Sequence, residues 1–180
     1  MIILGIDPGT NITGYGIIKY EKNACKKIAS GIIRLPFSKP IPSRLKIIYE
    51  ELNNLMKKYK PDEFAIETAF YGKNVQSAMK IGYARGVSIL AAVHNEIPTN
   101  EYSPREVKKS VVGKGAASKE QVSYMIRSLL NIKANGIKSD ETDALAIALC
   151  HAFRMKNPIK KNMSWKQFTE AFPERIIKEE

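Results

Sequence analysis

Three short apolar segments near the start of the chain are the strongest constraint on its fold. They are IILGID, GYGIIKY and KKIASGIIRL, and they are separated by the turn-rich connections PGTNIT and EKNA. Short β-branched runs bounded by Gly, Pro and Asn are typical of strands joined by tight connections. The segments therefore predict a three-stranded antiparallel meander.

Helical and strand patterns alternate through the rest of the chain. PSRLKIIYEELNNLMKKYK carries an apolar stripe at helical spacing, PDEFAIETAF predicts a strand, residues 74–95 predict a helix, and IPTNEY predicts another short strand. Ser103 and Ser118 begin capping boxes with Glu106 and Gln121, and Ser139 precedes a final helix. This order predicts an α/β fold with a mixed sheet, three antiparallel strands and then parallel strands, flanked by helices.

The chain length predicts one compact domain, residues 1–156, followed by a basic tail, residues 157–180. Helical spacing of apolar residues in the tail is compatible with a short docking helix, and partial disorder is an equal alternative. No segment approaches the ~20 apolar residues of a membrane span, so we expect a cytoplasmic protein that does not enter a membrane.

The net charge of +11 arises from 29 Lys and Arg against 18 Asp and Glu. Such an excess favours a polyanionic partner, because cations that neutralise phosphates release counterions. From Thr68 to Asn95 all charged residues are basic, and from Tyr102 to Lys119 five cations accompany one acid. The middle of the chain is therefore a candidate nucleic-acid-binding face, although a solvated lysine-rich surface is an alternative.

Four acids occupy positions that need an explanation. Asp7 ends the first predicted strand, Glu67 lies in FAIET, and Asp140 and Asp143 fall in the first turn of the last helix. Asp7 could begin a turn, and the helical pair could simply stabilise a helix N-terminus. If the strands bearing Asp7 and Glu67 are adjacent and the last helix crosses them, the four carboxylates converge. Oxygen-only ligands of this kind suit Mg²⁺, or Mn²⁺ in its place, and two such ions can assist phosphodiester hydrolysis.

Four segments then resemble a known family in order and spacing. GIDPGTNITGYGII, FAIETAFYGKN, VKKSVVGKGAASKEQV and SDETDALAIALCH resemble the RuvC Holliday-junction resolvases, over Ile2 to about His151. The resemblance implies a ribonuclease-H-like fold and a homodimer that makes symmetric nicks in four-way junction DNA, with RuvA and RuvB as branch-migration partners. It also implies that the metal-binding catalytic acids are Asp7, Glu67, Asp140 and Asp143.

Aromatic and basic residues supply the candidate DNA contacts. Phe70 and Tyr71 beside Lys73 combine stacking surfaces with a cation, which suits unpaired bases. The resemblance implies that the aromatic matching Phe70 works at the junction centre, and that Lys108 and Lys119 lie near the active site, where Lys119 would be catalytic. The remaining candidate DNA contacts are Lys80, Arg85, Arg105 and Lys114.

Three other functions compete with a resolvase. Asp7-Pro8-Gly9-Thr10 also resembles the opening phosphate loop of actin-like ATPases, but the chain is too short for their second lobe. A YqgF-type nuclease shares the opening motif, whereas ETAFYGKN and DALAIAL point away from it. A noncatalytic module that binds branched DNA would have no use for acids facing phosphates.

The predicted helix at residues 74–95 is our candidate for the homodimer interface. Small and apolar residues, including Gly82 and Gly86, recur along it. Glycine lowers helix propensity by about 1 kcal/mol relative to alanine, so its presence suggests close approach of another element or subunit. A two-fold dimer would place two equivalent sites on two strands of the DNA.

Overall fold

The computed structural model of the chain describes residues 1–68, 75–133 and 137–156. The strands are β1 (Ile2–Asp7), β2 (Ile12–Glu21), β3 (Ala24–Arg34), β4 (Glu63–Glu67) and β5 (Thr99–Tyr102). The helices are α1 (Ile41–Tyr59), α2 (Val75–His94), α3 (Pro104–Val112), α4 (Lys119–Leu130) and α5 (Ser139–Lys156). Phe70, Tyr71, Lys73 and the predicted tail, residues 157–180, lie outside the described residues.

The five strands form one mixed sheet in the order β3-β2-β1-β4-β5. The first three pair antiparallel, which confirms the predicted meander. β4 pairs parallel with β1, and β5 pairs parallel with β4. The predicted arrangement of antiparallel and then parallel strands is therefore confirmed.

Two hydrophobic cores cover the two faces of the sheet. α1 and α2 pack on one face, over Leu4, Ile6 and Phe64 among others. α3, α4 and α5 pack on the other face, over Ile3, Ala65 and their neighbours. Because successive side chains of a strand point to opposite faces, the odd-numbered residues of β1 and β4 face α5. This alternation directs the side chains of Asp7 and Glu67 toward the α5 face.

Helix α5 lies directly on β1 and β2 because glycines leave room for its backbone. A Cβ atom at Gly5 would overlap the carbonyl oxygen of Ala144, and one at Gly14 would overlap the carbonyl oxygen of Asp140. Side chains at these positions would hold the helix away from the sheet. This close contact brings the N-terminal end of α5 to the ends of the central strands. Asp140 lies in the first turn of the helix, as predicted, whereas Asp143 lies just beyond that turn because the helix begins at Ser139.

Helix starts follow the predicted capping pattern. The Ser103 hydroxyl accepts a hydrogen bond from the Glu106 backbone N–H, and the Glu106 carboxylate accepts from the Ser103 N–H, at the start of α3. Ser118 and Gln121 make the same reciprocal pair at the start of α4. Among residues 1–68, 75–133 and 137–156, the helices all fall short of the length and apolar character that crossing a membrane requires.

Candidate active site

Asp7 and Glu67 lie at the ends of two neighbouring parallel strands. Ile6 of β1 is in register with Ile66 of β4, and each acid follows by one residue. Together with Asp143 of α5 they line a cavity of about 310 Å³. The convergence predicted for the strand acids and the last helix is therefore present for these three carboxylates.

Burial, and after it repulsion from neighbouring acids, raises the pKa values of the cavity carboxylates. Burial, followed by repulsion from Asp143 and Asp140, raises the pKa of Asp7 to about 6. Burial and repulsion from Asp7 and Asp143 raise the pKa of Glu67 to about 7. Burial also raises the pKa of Asp143. Proximity of like charges in a partly desolvated site is unfavourable for the carboxylate forms, and a bound cation would relieve it.

Asp140 sits at the edge of this group. It repels the carboxylates of Asp7 and Asp143, which places it in their electrostatic neighbourhood. It is not among the residues that line the cavity, and its backbone packs against Gly14. The two helical acids are thus unequal: Asp143 faces the cavity and Asp140 flanks it.

Two lysines supply positive charge to the same cavity. Lys119, the first residue of α4, places its Nζ 3.6 Å from a carboxylate oxygen of Asp143. Lys108 of α3 lines the cavity beside it. Both lysines lower the pKa of Glu67 and of Asp143 against the effect of burial. The Lys119 side chain is 74% exposed, so its ammonium remains accessible to an anionic substrate.

The described carboxylates do not by themselves provide a complete set of ligands for a metal ion. Within the part of the chain that the structure describes, no three His, Cys, Asp or Glu side chains are grouped closely enough to hold an ion on their own. Their chemistry nevertheless fits Mg²⁺, which is usually held by one or two carboxylates together with water and substrate phosphate rather than by an all-protein cage.

A basic groove leads away from the cavity. A hollow of about 860 Å³ shares Pro104 and Lys108 with it and adds Arg105 and Lys114. A third hollow, of about 680 Å³, shares Arg105 and continues to further cations. One of these cations, Lys109, belongs to the basic run of residues 102–119, whereas Arg154 was not predicted because only the packing of α5 against α3 brings it here, where it pairs with Glu106 at 2.8 Å.

Lys80 and Arg85 lie elsewhere, on α2. Lys80 lines a separate hollow of about 610 Å³ on the α1 and α2 side of the sheet. Arg85 forms an ion pair with Glu101 of β5 within the monomer. The structure therefore does not bring Arg85 to the basic groove, and its predicted DNA contact stays a prediction.

A second polar cluster occupies the same sheet face as the cavity. The Tyr102 hydroxyl lies 2.7 Å from Nδ1 of His151, and Nε2 of His151 lies 3.5 Å from a carboxylate oxygen of Glu63. Asn100 donates a hydrogen bond to the same Glu63 oxygen at 3.1 Å. Burial lowers the pKa of His151 to about 4, so the imidazole is neutral at pH 7.

The fold and the site together define a class of protein. A ribonuclease-H-like sheet with acids at the ends of its central strands, beside a lysine-lined groove, has the layout of a nuclease that binds nucleic acid. The family model described as crossover junction endodeoxyribonuclease RuvC matches residues 3–151. The chain belongs to the RuvC family.

Individual relatives agree with this assignment. The chain is 51% identical to the crossover junction endodeoxyribonuclease RuvC of Saccharophagus degradans over 150 residues, covering 83% of this chain and 86% of the relative. It is 42% identical to that of Chloroherpeton thalassium, covering 99% and 100%. A structure of Thermus thermophilus RuvC in complex with Holliday junction substrate aligns with a TM-score of 0.82 and 30% identity, covering 87% of this chain and 95% of that chain. These matches favour neither the actin-like ATPase nor the YqgF-type alternative.

Proposed function

We propose that this chain resolves Holliday junctions by metal-assisted hydrolysis of phosphodiester bonds in two opposing strands. Family membership supports the endodeoxyribonuclease activity on junctions. The observation that carries the mechanism is the cavity in which Asp7, Glu67 and Asp143 face Lys108 and Lys119 and which opens into the basic groove. Carboxylates and ammonium groups thus converge where a scissile phosphate can enter.

The acids would hold Mg²⁺, or Mn²⁺ in its place. Asp7, Glu67 and Asp143 offer only oxygen donors, and Asp140 adds a carboxylate at their edge, so the set can serve two ions. When bound, the metal supplies activation of water and neutralises charge that develops on the phosphate. The protein supplies a partly desolvated cavity in which the acids are already oriented by β1, β4 and α5.

The lysines would act on the phosphate itself. Lys119 lies beside Asp143 at the mouth of the cavity, where its ammonium can approach a non-bridging phosphate oxygen. Charge developing there is stabilised by a donor that is already in place. Lys108 lines the same cavity, and Arg105 and Lys114 continue into the groove, where they would position the backbone of a DNA arm. The junction-centre roles of Phe70, Tyr71 and Lys73 stay predictions from the sequence.

We expect the active enzyme to be a homodimer formed through α2. Five large apolar side chains lie on one stripe of this helix and are between 47% and 66% exposed, namely Val75, Met79, Tyr83, Leu90 and Val93. Gly82 and Gly86 lie within the same stripe, and a Cβ at either position would meet no atom within 4 Å. An apolar stripe with glycines at its centre allows a second copy of the helix to approach closely in an isologous contact.

Gly82→Leu tests this interface. The added side chain has free space in the monomer and raises helix propensity, so the fold should be retained while the second helix is kept away. Light scattering should show a monomer, and paired nicking should be lost. Ser128→Leu, on the exposed face of α4, is the matched control and should remain dimeric. A dimeric Gly82→Leu protein would reject this face as the interface.

Two further partners follow from the family rather than from contacts in this chain. RuvA and RuvB, as branch-migration proteins, would deliver the junction, and such work on chromosomal DNA would place the enzyme in the cytoplasm. Co-purification of the chain with either protein on a junction would support this part of the proposal.

The central experiment compares a mobile four-way junction with a linear duplex of the same sequence. The wild type and Asp7→Asn are incubated with each substrate in Mg²⁺ or in EDTA. We expect paired nicks in the junction only, lost in EDTA and in the variant. If the wild type binds the junction but cuts nothing in Mg²⁺ or Mn²⁺, the noncatalytic branched-DNA module becomes the better explanation.

A further inference from the structure

A hollow of about 610 Å³ lies on the sheet face opposite the basic groove. It is formed by three separate segments: the β1–β2 connection, the β3–α1 connection and the start of α2. The residues that matter for its chemistry are Thr10, Asn11, Phe37, Lys39, Arg44 and Lys80. We call it the Phe37 hollow.

Arg44 of α1 holds the two connections together. Its guanidinium donates hydrogen bonds to the carbonyl oxygens of Lys39, Phe37 and Thr10 at 2.7, 2.9 and 3.1 Å. It also donates to the side-chain oxygen of Asn11 at 3.3 Å. A rigid planar donor shared between two loops fixes their relative position. The hollow is therefore a built feature rather than a chance gap between loops.

Phe37 is displayed to solvent by this arrangement. Phe37 is 80% exposed, and the Arg44 guanidinium lies 5.0 Å from the centroid of its ring. Lys39 and Lys80 line the hollow around it. An exposed aromatic ring among cations is the combination that binds nucleic acid, since the ring packs on bases and the cations neutralise phosphates.

The position of the hollow links it to the cavity of the acids. Thr10 and Asn11 follow Asp7 along the chain, and α2, which carries Lys80, is the next described helix after Glu67. The two acid-bearing strands therefore lead toward the hollow. The groove of Arg105 and Lys114 lies with α3 on the other face of the sheet, so the strand ends stand between two basic surfaces.

We propose that the Phe37 hollow binds a second stretch of the junction DNA, on the opposite side of the cut site from the basic groove. Lys39 and Lys80 neutralise backbone phosphates, and Phe37 packs on a base or sugar of the same stretch. Arg44 is a positioning residue that acts through Phe37. The inference rests on the proposed function, because it takes junction DNA as the ligand.

The test measures junction binding by fluorescence anisotropy over a series of salt concentrations. EDTA is present so that metal-dependent cleavage does not alter the junction during the measurement. We expect Phe37→Ala to weaken binding about tenfold without changing the salt dependence. Lys39→Ala should reduce the slope of log affinity against log salt by about 1. Lys57→Ala, an exposed lysine near the far end of α1, is the matched control and should behave as wild type. Wild-type affinity and slope in both hollow variants would overturn the proposal.

The role of Arg44 is tested by a double-mutant cycle. Arg44→Lys keeps the charge and loses the planar donor, so Phe37→Ala should have little further effect in that background. An undiminished effect of Phe37→Ala in a folded Arg44→Lys protein would refute positioning through Phe37.

Failure of this inference can be told apart from failure of the proposed function. In single-turnover cleavage, Phe37→Ala and Lys39→Ala should need more protein than the wild type to reach half of the maximal rate, whereas the control Lys57→Ala should cut as the wild type does. If the wild type cuts no junction, the nuclease proposal fails while the binding assay in EDTA still reports on the hollow.

Discussion

Strand β4 carries a glutamate at each end, and the two have different surroundings. Glu67 faces the carboxylates of Asp7 and Asp143, and burial followed by repulsion from these acids raises its pKa to about 7. Glu63 lies four positions earlier on the same sheet face, accepts a hydrogen bond from Asn100 and lies beside the neutral His151. Burial raises the pKa of Glu63 as well.

The comparison shows that burial alone does not distinguish an acid in a hydrogen-bonded cluster from an acid in the proposed active site. Both glutamates are partly buried. Glu63 accepts a hydrogen bond from Asn100 and is repelled by its chain neighbour Asp62. Glu67 is repelled by two carboxylates of the cavity and attracted by its two lysines. A cluster of like charges lowers the stability of the fold. A fold that nevertheless holds several carboxylates together therefore indicates a ligand that removes their repulsion. Four experiments can break or sharpen this contrast.

The largest expected effect is the difference between Glu67→Gln and Glu63→Gln. Glu67→Gln removes a carboxylate from the cavity and should lower single-turnover junction cleavage about 10³-fold. Glu63→Gln preserves the shape of a residue outside the cavity and should leave that rate unchanged. An equal loss of cleavage in two folded variants would remove the distinction between the two ends of the strand.

Lys119→Ala should lower the cleavage rate about 10²-fold while weakening junction binding much less. Lys119 lies at the cavity beside Asp143, where we propose that it stabilises charge that develops during hydrolysis. Rates at saturating protein are compared with affinities in EDTA, with Lys133→Ala on an exposed position as control. Equal losses in rate and binding would indicate that Lys119 only positions the phosphate.

The Glu63 end should respond in stability rather than in activity. His151→Leu removes the hydrogen-bond partner of the buried Tyr102 hydroxyl and should lower the free energy of unfolding by about 1–3 kcal/mol. Urea denaturation measures the loss, and the cleavage rate of the folded variant should match the wild type. Adding Tyr102→Phe should recover part of the stability, because the orphaned hydroxyl is then gone. No recovery would mean that packing, and not this hydrogen bond, stabilises the cluster.

The smallest expected effect is an opposite pH dependence of stability at the two ends, measured in EDTA. Asp7 has a folded pKa of about 6 against 3.8, so its contribution favours folding below pH 4 and is lost as pH rises through 6. His151 has a folded pKa of about 4 against 6.5, so its contribution is present above pH 6.5 and is lost as pH falls toward 4.

Stability of each variant relative to wild type should therefore change in opposite directions. Between pH 4 and 6 the difference for Asp7→Asn should rise with pH, and the difference for His151→Leu should fall. Chemical denaturation at a series of pH values gives both curves. Curves of the same sign would contradict the assignment of a repelled acid to one cluster and a neutral imidazole to the other.

Local patterns made much of the fold predictable. The meander follows from three apolar runs with turns between them, and the starts of α3 and α4 follow from capping boxes whose partners are three residues apart. Alternation along a strand also directs Asp7 and Glu67 to one face once β1 and β4 are paired. The pairing of β1 with β4 joins segments that are far apart in the chain. The convergence of the acids could therefore be predicted from the sequence only by assuming this pairing.

The remaining features depend on contacts that leave no local pattern. The spacing of Asp140 and Asp143 places both residues on one helix face. Which of them lines the cavity depends on how α5 packs against Gly14: Asp143 lines it and Asp140 lies at its edge. The hydrogen bonds by which Arg44 joins two connections could not be predicted from the sequence. Their acceptors are mainly backbone carbonyls, which every residue type carries. Contacts of that kind can be found only when the loops are placed in space.

The close packing of α5 against Gly5 and Gly14 also has a consequence for the order in which the site is assembled during synthesis of the chain. The ribosome makes Asp7 and Glu67 early, whereas the helix that carries Asp143 is synthesised after every strand of the sheet. A nascent chain still lacking α5 exposes the apolar face of the sheet and has only part of the carboxylate set. Nuclease activity should therefore arise only when the last described helix docks on the sheet.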